Sequence, residues 1–195
     1  MSEKNTIFML RHGRTGFPGR YIGARDVPLS SEGISQIERL QKSLCHEDFD
    51  AVYASPLYRC RQSCKILFPD TVIEYSDALR EIDFGRWEGL SFEEINEQDP
   101  DRVQQWAEDP LHFTFPEGES VASFTTRIEA IARRLSKKSQ KKVLLVCHGG
   151  IIRGLLCTFL GIDYKNALLF QVKKGRYTTI EMFGERGVLS GFNLQ

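Results

Sequence analysis

At 195 residues, with 41% hydrophobic and 27% charged residues, the chain has the size and make-up of one soluble globular domain or at most two small ones. Such a chain can bury a sizeable core without disulfides or a structural metal. Lys+Arg and Asp+Glu stand at 26 each and the pI is near 6.9, which excludes a broad basic surface and argues against nucleic acid as the main partner. An anionic substrate stays compatible, because a small site needs only local positive charge.

Thr6 to Leu10 is a short apolar run that reads as a buried first strand. Because it leads straight into Arg11 and His12, it has no signal-peptide pattern. Gly13 to Pro28 is rich in Gly and Pro and reads as a loop. Ser30 or Ser31 then caps a helix carrying Ile34, Ile37, Leu40 and Leu44 at helical spacing. Ala51 to Ala54 is the second predicted strand. Ser55 as N-cap and Pro56 at the first helical position open the next helix, and Thr71 to Tyr75 is a short third strand.

Leu90 to Gly118 holds Pro100, Pro110 and Pro116 and is expected to form an excursion of short helices and loops. Glu119 to Leu135 returns to helical spacing, followed by a solvated connector with Lys137, Lys138, Lys141 and Lys142. Lys142 to Cys147 is the clearest strand and Gly150 to Leu160 the helix after it; Ala167 to Val172 and Thr178 to Phe183 are two further strands. The apolar stretch from Val143 to Ile162 contains His148, Arg153 and four glycines, so strand, turn and helix explain it better than a membrane span. Five cysteines at irregular spacing form no disulfide framework, and Cys60 and Cys64 lack a second Cys/His pair for a metal. The expectation is a cytoplasmic, reduced protein without membrane attachment, an α/β three-layer sandwich with a largely parallel central sheet flanked by helices.

In such sheets ligands bind at the carboxyl ends of the strands. Those ends deliver Arg11 and His12, then Ser55 with Arg59 one helical turn later, then His148 with Gly149 and Gly150. A histidine beside a strand is more often a satisfied polar residue than a catalyst. Arginines and histidines converging from three strand ends instead describe a phosphate site, with glycines letting backbone N–H groups approach an anion at a helix start. Glu81, between apolar neighbours and ahead of Gly85, is a proton-donor candidate or an ion-pair partner. His46 and His112 lie in connecting segments and read as surface residues.

These residues resemble the histidine phosphatase (phosphoglycerate mutase-like) superfamily over nearly the whole chain. RHGRT at Arg11 to Thr15 is similar to its signature, and GARDVPLSSEG at Gly23 to Gly33 to the segment that follows. SPLYRCRQSC at Ser55 to Cys64 resembles its second arginine motif, LREIDFGRWEGL at Leu79 to Leu90 the acidic motif, and VCHGG at Val146 to Gly150 the second-histidine motif. The resemblance implies one histidine phosphatase domain over 1–195, with 90–118 as a small cap-like excursion. It implies His12 as a nucleophile that becomes phosphorylated, Arg11, Arg59 and His148 as the phosphate pocket, and Glu81 as proton donor to the leaving oxygen, then as base for the attacking water. Thr15, Gly23 and Gly149 join the substrate contacts. Neither metal nor cofactor is implied.

Two adjacent arginines should hold the His12 imidazole neutral, and a protonated His148 should help stabilise the transferring phosphoryl group. To act as acid, Glu81 must carry a proton, which asks for a partly buried setting. The family commonly has an acidic or amide residue where Arg14 stands and often Asn in place of Pro18, so contacts beyond the phosphate differ; Arg14 could suit a substrate with a second anionic group. Arg61 and Arg80 read as solvated or ion-paired.

Cofactor-dependent mutases of the superfamily are longer near the acidic motif, so a hydrolase of small phosphomonoesters is expected ahead of a mutase or a non-catalytic phospho-ligand module. Phe115 to Leu135 resembles the branch with alpha-ribazole phosphatases, which implies alpha-ribazole 5′-phosphate as the leading substrate. Trp106, His112, Phe113 and Phe115 are candidates either for contact with its ring or for core packing.

Overall fold

A computed structural model describes residues 5–137 and 140–195; Lys138 of the basic connector lies outside them. The elements in chain order are β1 (Asn5–Arg11), α1 (Ser31–Leu44), β2 (Ala51–Ala54), α2 (Tyr58–Leu67), β3 (Glu74–Tyr75), α3 (Phe92–Gln98), α4 (Pro100–Glu108), α5 (Val121–Ser136), β4 (Lys142–Cys147), α6 (Gly149–Leu160), β5 (Arg176–Phe183) and β6 (Arg186–Leu194). Short 3₁₀ turns lie at Asp77–Leu79, Gly85–Trp87 and Tyr164–Leu169.

Successive side chains of a strand point to opposite faces, and the continuous apolar runs in β1 and β4 therefore feed two cores at once. Phe8, Leu10, Leu144 and Val146 pack under α1 and α2, against Ile37, Leu40, Cys60 and Cys64. Ile7, Met9, Val143 and Leu145 face the other way, against Phe124 and Ile128 of α5 and Ile151 and Leu155 of α6. Three layers result, an α/β sandwich as expected. The sheet order is β3-β2-β4-β1-β5-β6, with β3, β2, β4 and β1 parallel and β5 and β6 antiparallel. Among the described residues no helix is long and apolar enough to cross a membrane.

Register is what gathers the strand ends. Arg11 stands opposite Cys147, and Ala54 opposite Val146. One residue further, the His12 N–H donates to the Cys147 carbonyl at 3.1 Å and the Ser55 N–H to the Val146 carbonyl at 3.0 Å. His12, Ser55 and His148 are thereby set side by side along one edge of the sheet.

Four sequence expectations are corrected. Helix α2 starts at Tyr58, not at Pro56, and its N-cap is Leu57, with no side-chain bond of its own, not Ser55. Asp26, from the loop before α1, accepts the Tyr58 N–H, so a distant carboxylate replaces the local cap. Ser55 is fully buried and turned toward His148 instead. The third strand shortens to Glu74–Tyr75. Ala167–Val172 is no strand: Asp163 caps a 3₁₀ turn over Tyr164–Leu169 that leaves Leu168 and Leu169 exposed. A sixth strand, β6, follows β5. Its apolar alternation is broken by Gly187 and Gly191, and a Cβ at Gly187 would come within 2.3 Å of Ile180 Cγ2, so close sheet packing requires the residue that hides the pattern.

Candidate active site

His12 is buried and its ring is fixed at both nitrogens. Nδ1 lies 2.7 Å from the Gly13 carbonyl, which can only accept, so Nδ1 carries the proton. Nε2 keeps its lone pair and accepts from the Arg59 Nε–H at 3.3 Å. Burial holds the His12 imidazolium well below its ordinary range, reinforced by the Arg59 and Arg11 charges, so the ring is neutral. The expected repulsion from the two arginines is present, but second in size to desolvation.

Arg59 reaches this position because α2 begins just past the end of β2. Its guanidinium is fully buried, and Nη2 donates to the Gly23 carbonyl at 2.6 Å while Nη1 donates to Arg25 at 2.9 Å. The Gly23 loop is held in turn by Glu88, whose carboxylate accepts from the Gly23 and Ala24 N–H groups. Gly23, expected among the substrate contacts, is buried behind Arg59, where a Cβ would meet the Ile82 carbonyl at 1.9 Å.

His148 sits against His12, ring centroids 5.1 Å apart. Its Nε2 pairs with Ser55 Oγ at 2.8 Å, and that hydroxyl also accepts from the Leu57 N–H. The other ring nitrogen, Nδ1, is buried without a partner. Arg11 donates from Nη1 to the Val172 carbonyl at 2.6 Å, while its Nε is also buried and unpaired. The surroundings oppose the protonated His148 expected from the sequence. Burial, then Arg59, His12 and Arg11, push it well below the ordinary histidine range.

Helix α6 starts at Gly149 with no side-chain cap from His148. Glu81 takes that place, accepting the Gly150 N–H at 2.9 Å through Oε2 and the Ile82 N–H at 3.1 Å through Oε1. The glycines make this approach possible. A Cβ at Gly150 would lie 2.3 Å from Glu81 Oε1, and one at Gly149 3.0 Å from Arg11 Cζ. The Glu81 segment is clamped by Arg127, which donates at 2.7 Å to both the Ala78 and Arg80 carbonyls and pairs with Glu119.

A pocket of about 210 Å³ opens over these groups, lined by Arg11, His12, Thr15, Glu81 and Gly149, with Arg59 and His148 beneath His12. Further on, Gly19, Arg20, Tyr21, Ile22, Phe84, Arg153 and Lys174 complete the wall; none was singled out from the sequence as a site residue. Trp106, Phe113 and Phe115 belong instead to an aromatic cluster around Trp87, so core packing is the outcome for these three, whereas His112 is a surface residue bound to Asp109. Arg14 is exposed and paired with Glu32 away from the pocket wall, and Arg80 pairs with Asp77.

The profile of the Histidine phosphatase superfamily (branch 1) matches residues 7–195. The chain belongs to this superfamily. It is 30% identical over 193 residues to Phosphoserine phosphatase 1 of Hydrogenobacter thermophilus, covering 96% of this chain and 92% of that one. It is 27% identical over 181 residues to Adenosylcobalamin/alpha-ribazole phosphatase of Escherichia coli, covering 90% and 89%. Among solved structures it is similar to the alpha-ribazole phosphatase from Shigella flexneri (TM-score 0.90, 26% identity, 96% of each chain). A phosphoserine phosphatase mutant from Entamoeba histolytica in complex with phosphoserine is similar too (TM-score 0.84, 25% identity, 97% and 96% covered). The family and these relatives bear out the expected fold and the expectation of a phosphatase.

Proposed function

We infer that this histidine phosphatase hydrolyses small phosphomonoesters through a phosphohistidine at His12. The observation that carries the reading is the pair of buried, unpartnered nitrogens, Arg11 Nε and His148 Nδ1, in the shell around a neutral His12, the second a donor once the ring is protonated. A buried N–H without an acceptor costs about 1–3 kcal/mol, and phosphoryl oxygens would satisfy both.

In the first step the His12 Nε2 lone pair forms a bond to phosphorus while the ester P–O bond breaks, and Glu81 gives its proton to the leaving oxygen. Arg59 turns its Nε–H from His12 to a phosphoryl oxygen. The incoming dianion favours a proton on His148, offsetting the burial and the arginine charges that disfavour the imidazolium. In the second step water attacks phosphorus, Glu81 accepts its proton, the N–P bond breaks and inorganic phosphate leaves. Fixed donors and cations supply charge stabilisation with little reorganisation. Alpha-ribazole 5′-phosphate and phosphoserine are the two candidate substrates suggested by the relatives.

Hydrolysis of 4-nitrophenyl phosphate in EDTA tests the reading. Wild-type protein is expected to turn it over and His12→Ala to lose at least about 10³-fold. Equal rates in the two proteins, or dependence on added metal, would overturn it.

A further inference from the structure

The phosphate-binding groups leave two pocket cations without a carboxylate. Among the described residues, Arg153 donates from Nε to the Phe170 carbonyl at 2.9 Å but has no ion pair, and Lys174 has neither an ion pair nor a side-chain hydrogen bond. The remaining lining cations are engaged elsewhere: Arg20 pairs with Glu94 at 2.7 Å, and Arg11 belongs to the phosphate end. Glu81 is the one carboxylate on the described wall, and it caps α6.

Arg153 is held by a backbone carbonyl, and the chain segment that carries Lys174 is fixed. Arg153 stands one turn beyond Gly149 on α6, about 6 Å along the axis from the Arg11 contact. Lys174 sits in a segment pinned on either side: the Lys173 N–H donates to Asn193 Oδ1 at 2.8 Å, and the Gly175 N–H to the Arg11 and His12 carbonyls at 3.0 Å. The same segment offers the Phe170 and Val172 carbonyls to Arg153 and Arg11. Burial, followed by Arg11, Arg14 and Arg59, lowers the Lys174 ammonium below its ordinary range, as befits a cation lacking a counter-ion.

We propose that Lys174 and Arg153 form a second anion subsite, and that the substrate is a small phosphomonoester carrying another compact anion, a carboxylate or a second phosphate, within a few bonds of the phosphate. The separation of one helical turn suits a phosphorylated hydroxy acid or amino acid. Alpha-ribazole 5′-phosphate, whose tail is uncharged, would leave both cations unpaired. The inference rests on the phosphatase reading of the same pocket.

The test compares kcat/KM for three compounds of one carbon length: glycerol 3-phosphate, 3-phosphoglycerate, in which a carboxylate replaces the hydroxymethyl group, and propane-1,3-diol bisphosphate. Wild-type protein is expected to prefer one or both compounds with an anionic tail over glycerol 3-phosphate by about tenfold or more, the size of a charge-assisted contact. That ratio should fall toward one in Lys174→Met and Arg153→Met and be kept in Lys174→Arg, which also controls for folding. Preference for the carboxylate or for the bisphosphate identifies which anion the subsite takes. Equal turnover of all three by wild type, turnover of none, or a preference that survives both methionine variants would overturn the subsite. Loss of 4-nitrophenyl phosphate hydrolysis by wild type would instead overturn the phosphatase reading beneath it.

Discussion

Gly150→Ala separates Glu81, the proposed proton donor, from the proposed phosphate pocket. The new Cβ would stand 2.3 Å from Glu81 Oε1 and 3.1 Å from Phe124 Cζ. Ordinary contact lies roughly 1 Å further out, so the carboxylate must give up its seat at the start of α6 by about that distance. A misplacement of about 1 Å costs on the order of 10²-fold, and a general acid is worth about 10²–10⁴-fold. Stability should change little, because crowding of about 1–3 kcal/mol is offset by about 1 kcal/mol of helix propensity gained over glycine. The loss should depend on the leaving group. An alkoxide cannot depart unprotonated, whereas 4-nitrophenolate can. Measured as kcat/KM, which ends at phosphorylation of the enzyme, glycerol 3-phosphate should lose about 10²-fold and 4-nitrophenyl phosphate only a few-fold. Equal losses for the two substrates, or none for either, would refute the assignment of Glu81 as acid.

The two buried imidazoles make stability sensitive to acid. His12 and His148 both have folded values far below the ordinary 6.5, so each is neutral when folded and takes up a proton on unfolding below that pH. Their contribution is fully present above pH 6.5 and is lost as pH falls through it, at about 1.4 kcal/mol per pH unit for each histidine. Urea unfolding between neutral and mildly acid pH should show that slope, and His148→Asn should remove about half of it. Arg127→Met should cost about 2 kcal/mol by stranding the Ala78 and Arg80 carbonyls, or about 4–8 °C in Tm, and should lower alkyl phosphate turnover more than nitrophenyl phosphate turnover. No thermal shift, or equal losses with both substrates, would contradict its part in holding Glu81.

How much was legible follows from where each signal resides. β1, β4 and the helix faces repeat with their own period, and parallel packing converts the ends of three strands into one neighbourhood. Arg11, His12, Arg59 and His148 could therefore be brought together on paper. Their chemical state could not, since the orphaned Nδ1 of His148 depends on Ser55, and Ser55 becomes available only because Asp26 caps α2 in its place. Lys174 and Arg153 were missed for a related reason. Their place at the pocket is set by a segment that pairs with β1, α6 and Asn193, contacts between residues far apart in the chain. The sequence pointed the other way, since Ala167–Val172 reads as a strand and in the structure forms a 3₁₀ turn and an irregular segment.

The central claim is a covalent bond between His12 and phosphorus. Glu81→Gln should still accept the phosphoryl group from 4-nitrophenyl phosphate, since that leaving group needs no acid, but should lack the base for the water that removes it. Mass spectrometry after an alkaline quench should find one added phosphoryl group on the His12 peptide of Glu81→Gln, stable to base and labile to acid, and none when His12→Ala is combined with it. A phosphoryl group on any other residue, or nitrophenol release by Glu81→Gln with no labelled His12, would contradict the account.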